Sequence, residues 1–194
     1  MIPCIVVMNG PPQVGKDTTA KLLGEELQNY TIEKFAFPLE EALSAYSGKP
    51  LSSPEFRALR EDLKDKPVLK NNLTPRKFMQ ETSTLIKKYF GEGVFGQMCA
   101  ERCRKLTDHH YIFITDCGFQ KEFDTFIETL QGTMCRVMFL RVCSPGYTFL
   151  GDTREWVVPR EGIPFDILYN PHTTFDDLRH KIKKYTNKNY FYGP

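Results

Sequence analysis

The chain is 194 residues long, with 41% apolar and 26% charged residues. At roughly 100–200 residues per domain, that is one domain with enough apolar material for a core, which excludes wholesale disorder. Lys plus Arg number 26 against 24 Asp plus Glu, and so near a balance excludes a chain devoted to coating nucleic acid.

Cys4 to Met8 (CIVVM) is a continuous apolar run, the pattern of a strand buried on both faces of a parallel sheet. It is too short for a membrane span or a signal peptide, which points to a cytoplasmic chain with no membrane partner. Asn9 to Gly15 (NGPPQVG) reads as a loop, and Ala20, Leu23 and Leu27 then recur at helical spacing, predicting a helix over Lys16 to Leu27.

A second strand is expected at Ile32 to Ala36, followed by a helix with Pro38 in its first turn, running to about Tyr46. Pro54 to Lys64 is helical in pattern. Thr74 and Pro75 have the residue types of an N-cap and first position, opening a helix to about Tyr89. Another helix is expected from about Val94 to Leu106. Tyr111 to Thr115 (YIFIT) reads as a strand ending at Asp116, Gln120 to Leu130 as a helix and Cys135 to Val142 as a strand. Residues 143–164 contain three prolines and three glycines, too long for an ordinary connection, and read as a lid. Phe165 to Tyr169 closes the set of strands. A terminal helix over Asp176 to Tyr185 follows, with Thr173 or Thr174 as its cap. The tail from Thr186 to Pro194 is polar and aromatic and fits no element.

Strands alternating with helices predict an α/β fold, three layers (α/β/α) around a mostly parallel central sheet. The stretch of about 47–106 is then a long helical excursion suited to binding a substrate. The six cysteines lie mostly in apolar runs and read as free thiols of a reduced protein. Cys99 and Cys103 are four apart but lack the partners of a zinc site. His109 and His110 have the setting of exposed turn residues.

The chemistry is carried by Gly10-Pro-Pro-Gln-Val-Gly15-Lys16-Asp17-Thr18, which matches G-x-x-x-x-G-K between a buried-type strand and a helix. Glycines let the backbone N–H groups of such a loop, here including Gln13 and Val14, turn toward phosphate oxygens. The helix that follows presents the positive end of its dipole to the same anion. Lys16 suits the β- and γ-phosphates of ATP. An immediate Ser or Thr is replaced by Asp17, so the hydroxyl moves to Thr18, with Thr19 beside it. Thr18 suits Mg²⁺; Asp17 reads equally as a metal or acceptor contact and as a helix-dipole partner. Asp116 falls at the C-terminal end of a predicted strand, the edge where open α/β sheets bind ligands. Arg76 and Gln80 share one helix face and suit a phosphate and a base edge. Arg154 and Arg160 fall in the lid, where arginines neutralise a moving phosphoryl group on closure.

Together these elements resemble the deoxynucleoside monophosphate kinases of bacteriophages, within the wider adenylate-kinase-type group of P-loop kinases. The resemblance is carried in order by GPPQVGKDTTAKLL (Gly10 to Leu23), KFAFPLEEAL (Lys34 to Leu43), LTPRKFMQ (Leu73 to Gln80) and YIFITDCGFQKEF (Tyr111 to Phe123). Two departures stand out. Glu40 and Glu41 follow Phe-Ala-x-Pro-Leu where the family often has a basic residue. Cys117 and Gly118 follow Asp116 where related chains often read Asp-x-Arg.

The resemblance implies a P-loop kinase fold and ATP-dependent, Mg²⁺-assisted phosphorylation of deoxynucleoside monophosphates for deoxynucleotide biosynthesis. In a phage-encoded chain this takes place in the host cytoplasm. It implies that Gly10 to Thr19 cradles ATP, Lys16 stabilises the transferring group, Arg76 holds the acceptor phosphate, Gln80 reads the base, and Arg154 and Arg160 close over the reaction. Partners are then small nucleotides rather than nucleic acid, with room for a homodimer. The alternatives are another small-molecule P-loop kinase, of the dephospho-coenzyme A or phosphomevalonate type, and a non-catalytic nucleotide-binding module. A GTPase is disfavoured, since Asn187-Lys188-Asn189 lacks the Asp of Asn-Lys-x-Asp.

Overall fold

A computed structural model describes residues 2–170 and 174–186. Thr173 and the tail beyond Thr186 lie outside the described residues. The described chain forms two compact units, residues 1–35 with 96–194, and residues 36–95.

The first unit is built on five strands: β1 (Cys4–Asn9), β2 (Tyr30–Glu33), β3 (Tyr111–Cys117), β4 (Arg136–Cys143) and β5 (Phe165–Tyr169). They lie in the order β2-β3-β1-β4-β5, and every pairing is parallel. The apolar runs explain this arrangement, because central parallel strands are covered on both faces. All six residues of β1 are buried. On one face, Val6, Met8, Phe113, Leu140 and Leu168 form a core with Ala20 and Leu23 of α1 (Lys16–Leu27) and with Leu178 and Ile182 of α7 (Phe175–Thr186). On the other face, Phe123 of α6 (Gln120–Leu130) meets Phe139 edge to face at 5.1 Å, and Phe126 meets Phe35 at 5.6 Å. Helix, sheet and helix make the three layers expected. Thr174 takes the cap of α7, its Oγ1 accepting the Asp177 N–H at 3.0 Å.

The second strand departs from expectation. It covers Tyr30–Glu33 rather than reaching Ala36. Its ladder with β3 ends at Glu33 and Ile114, and β3 then bulges: Val7 faces Ile114 but Asn9 faces Cys117. The Phe35 N–H turns instead to Asp116 Oδ1 at 2.8 Å. A bulge re-aims side chains where regular pairing would alternate them.

Five of the helices differ from the sequence reading only at their ends. α5 (Val94–Cys103) stops short of Leu106 because Lys105 and Leu106 donate three residues back, to Arg102 and Cys103, tightening the last turn. In the second unit, α2 (Phe37–Ser47) ends at Gly48 in the left-handed conformation (φ 66°). α3 (Pro54–Glu61) is capped by Ser53, and α4 (Pro75–Phe90) by Thr74, whose hydroxyl accepts the Lys77 N–H at 3.1 Å. α3 ends before Lys64 because Ala58 O accepts from both Asp62 and Leu63. Tyr46 of α2 packs on Phe78 of α4 at 4.9 Å, and Arg60 of α3 pairs with the buried Glu40 of α2 at 2.5 Å. No described helix is long and apolar enough to cross a membrane.

Candidate active site

The C-terminal edge of the sheet, where open parallel sheets bind ligands, carries Asn9 at the end of β1, Asp116 near the end of β3 and Asn170 just after β5. The glycine loop leaves β1 at Asn9 and enters α1 at Lys16. Gly10 is required by approach: a Cβ there would stand 2.3 Å from the Val142 carbonyl oxygen. Gly15 is required by conformation, with φ at +94° as the N-cap of α1. Gln13, also left-handed (φ 63°), is exposed on the loop, and the Val14 side chain is buried beneath it.

Lys16 folds back into this loop. Its Nζ donates to the Gly10 carbonyl at 2.7 Å and the Pro11 carbonyl at 2.8 Å. Burial lowers its pKa to about 8, helped by the Arg154 cation and opposed by Asp17, Asp116 and Asp152. The lysine therefore sits as a desolvated cation held by two neutral carbonyls, an arrangement that favours an incoming anion.

Around it the structure gathers part of the expected set. Asp17 is exposed and Thr18 half-buried on the first turn of α1. Asp116, re-aimed by the bulge, and Arg154 act electrostatically on Lys16. Arg154 forks onto Asp152, with Nε at 2.8 Å and a terminal nitrogen at 2.7 Å, and this carboxylate raises its pKa further. Gly118 stands where a Cβ would meet the Arg154 stem at 2.6 Å, so the Gly that replaces part of Asp-x-Arg makes room for an arginine from elsewhere in the chain.

Two expected residues are not brought into the cluster. Thr19 is fully buried, and its N–H closes the first helical bond to Gly15 O at 2.8 Å. Arg160 is held on α6, with Nε 3.1 Å from Asp124 and a terminal nitrogen 2.6 Å from Glu128. Arg76 and Gln80 lie on α4 in the second unit. There the Arg76 Nε pairs with Asp65 at 2.5 Å, and both side chains are exposed.

The segment read as a lid contains no helix or strand between Cys143 and Phe165. It is latched over the edge of the sheet by Asn9. The Asn9 Nδ2 donates to the carbonyls of Cys117 (2.9 Å) and Glu155 (3.0 Å), and its Oδ1 accepts from the Val157 N–H (3.3 Å). Gln120 adds a second latch on both polar groups of Val158. Asn9, Asp152 and Asn170 were not singled out by the motif. The available signal for Asn9 and Asn170 was a polar residue at the C-terminal end of an apolar strand.

No protein-family profile matches the chain, and no curated protein does. Solved structures do resemble it. A candidate kinase from Chloroflexus aurantiacus j-10-fl aligns over 95% of this chain and 96% of its own, at 10% identity and a TM-score of 0.50. The Mycobacterium tuberculosis APS kinase CysC, solved with AMPPNP and APS, aligns over 96% and 99% at 10% identity and 0.49. Shikimate kinase from Acinetobacter baumannii, in complex with shikimate, aligns over 98% and 96% at 13% identity and 0.45. With the all-parallel five-stranded sheet between two helical layers, the first of these likenesses shows an α/β fold shared with that kinase.

Proposed function

We propose that this chain is an ATP-dependent kinase that transfers the γ-phosphoryl group to a deoxynucleoside monophosphate. The observation that carries the reading is the buried Lys16 ammonium, held by carbonyls 2.7 and 2.8 Å away inside a glycine loop at the N-terminal end of α1. A bound triphosphate replaces those two weak partners with full charges. The loop N–H groups and the helix end take the phosphate oxygens.

The acceptor phosphate is already anionic, so the transfer needs no strong general base. Positioning and charge neutralisation do the work. Lys16 follows the γ-phosphoryl as it moves, and Arg154, prealigned by Asp152, offsets the charge that develops on it. The segment over the sheet edge keeps water from the donor. Arg76 and Gln80 recognise the acceptor, with Arg76 exchanging Asp65 for a phosphate.

Thr18 and Asp17 supply hard oxygen atoms on the first turn of α1, which suits Mg²⁺, an ion that takes one or two protein oxygens along with substrate phosphates and water. When bound, it supplies further neutralisation of the β- and γ-oxygens.

The test is ADP release over a panel of deoxynucleoside monophosphates, ribonucleoside monophosphates, dephospho-coenzyme A and phosphomevalonate. Turnover with at least one deoxynucleoside monophosphate is expected. Turnover only with a non-nucleotide acceptor overturns the reading, as does ATP binding with no acceptor-dependent release. In the same assay Arg76→Ala raises the acceptor KM more than the ATP KM; equal effects remove Arg76 from the acceptor site.

A further inference from the structure

Asn170 follows directly on β5 and is 4% exposed. Its backbone N–H donates to the Cys143 carbonyl at 2.7 Å, one step beyond the Cys143–Tyr169 pairing, so the residue is fixed by the sheet itself. Its side-chain Nδ2 donates to the Val14 carbonyl at 2.9 Å across 156 positions of sequence. The contact is close: a Cβ on Gly15 would stand 2.6 Å from that same nitrogen.

A trans peptide is planar, so its C=O and N–H point in opposite directions. With the Val14 carbonyl pinned toward Asn170, the N–H of Gly15 is turned the other way. If this peptide rotated, it would present a carbonyl oxygen to an anion in place of a donor. On its C-terminal side such a rotation meets no side chain, because Gly15 has none.

We infer that Asn170 is a positioning residue, which holds the Val14–Gly15 peptide so that the Gly15 N–H faces the phosphate chain of a bound nucleoside triphosphate. The inference rests on the reading of this loop as a triphosphate cradle. It assigns a role in phosphate binding to a residue of the last strand, far in sequence from the glycine motif. The action is on the phosphates alone, so ATP and inorganic tripolyphosphate are affected alike.

The experiment compares Asn170→Asp and Asn170→Ala with wild type, by calorimetric titration with ATP and with tripolyphosphate at pH 7.0 and 5.5. Thermal midpoints are measured without ligand. Aspartate keeps the shape but as a carboxylate cannot donate to the Val14 oxygen; its protonated form can. Burial beside a carbonyl favours that protonated form. Lys181, whose Nζ donates to the neighbouring Tyr169 carbonyl at 2.8 Å, and Lys16 with the Arg154, Asp17, Asp116 and Asp152 charges that act on it are common to all the proteins. The ratio to wild type at each pH therefore isolates position 170.

The expected result is a loss of tenfold or more for both ligands in Asn170→Asp at pH 7.0, shrinking severalfold at pH 5.5. In Asn170→Ala the loss is the same at both pH values. Wild-type affinity in Asn170→Asp overturns the inference while leaving the cradle intact, as does a loss independent of pH that follows the thermal midpoint. Failure of wild type to bind either ligand overturns the cradle reading, and this inference with it.

Discussion

In the proposed function Lys16 is a binding group held ready by neutral partners. Its two carbonyl partners satisfy the ammonium without neutralising it, and burial makes the charge costly. Because its pKa in the folded protein is about 8, against the ordinary 10.5, the folded chain binds fewer protons than the unfolded chain between these values. The contribution of this residue to stability therefore rises with pH across that window and is a constant cost below it. A triphosphate draws the pKa back up. ATP binding at pH 8.5–9 is thus expected to take up a proton, seen in calorimetry as an enthalpy that depends on the ionisation enthalpy of the buffer. An enthalpy independent of buffer would show that Lys16 does not meet the phosphates. Lys16→Met should lower kcat by at least about a thousandfold, on the scale of other phosphoryl-transfer charge stabilisers. Its thermal midpoint should equal or exceed that of wild type, since the buried charge is gone. The motif made Lys16 legible in sequence. The low pKa was not, because it comes from the depth of the loop and from Arg154, far along the chain.

At the scale of elements, the helices and strands are where local pattern speaks most directly. The ranges of α1, α6 and β5 follow from apolar spacing and from the turn residues that bound them. The ends that differ are set by long-range partners. β2 stops at Glu33 because the β3 bulge ends its ladder and Asp116 takes the Phe35 N–H. Packing between elements is similarly hidden. Gly96 in α5 has no role visible in sequence, yet a Cβ there would lie 1.9 Å from the Glu122 carbonyl oxygen of α6. Gly96→Ala gains up to about 1 kcal/mol of helix propensity. It loses more, since overpacking costs about 1–3 kcal/mol and here the collision is with backbone that cannot rotate away. Net destabilisation is expected in urea denaturation; a stabilised variant would mean that α5 and α6 lie further apart than described.

For the whole molecule, the relevant quantity is the coupling of ligand to fold. The cradle is assembled from β1, α1, β4 and β5, through Gly10 against Val142 and Asn170 against Val14. A ligand there should stabilise the first unit as a body. With ATP a hundredfold above its Kd, binding adds about 2.7 kcal/mol. In a chain of this size, that raises the thermal midpoint by roughly 5–11 °C. A thermal scan with and without ATP checks this, and an unchanged midpoint would count against nucleotide binding.

The order of strands and helices and the glycine motif with its lysine were determined by sequence alone, because periodicity, turn chemistry and loop geometry act over a few neighbouring residues. Tertiary structure decided which polar residues share the site. It drew in Asn9, Asp152 and Asn170, turned Thr19 into the core and tied Arg160 to α6. Most of these choices depend on hydrogen bonds and ion pairs between residues far apart in the chain, and such partners leave no periodic trace in it.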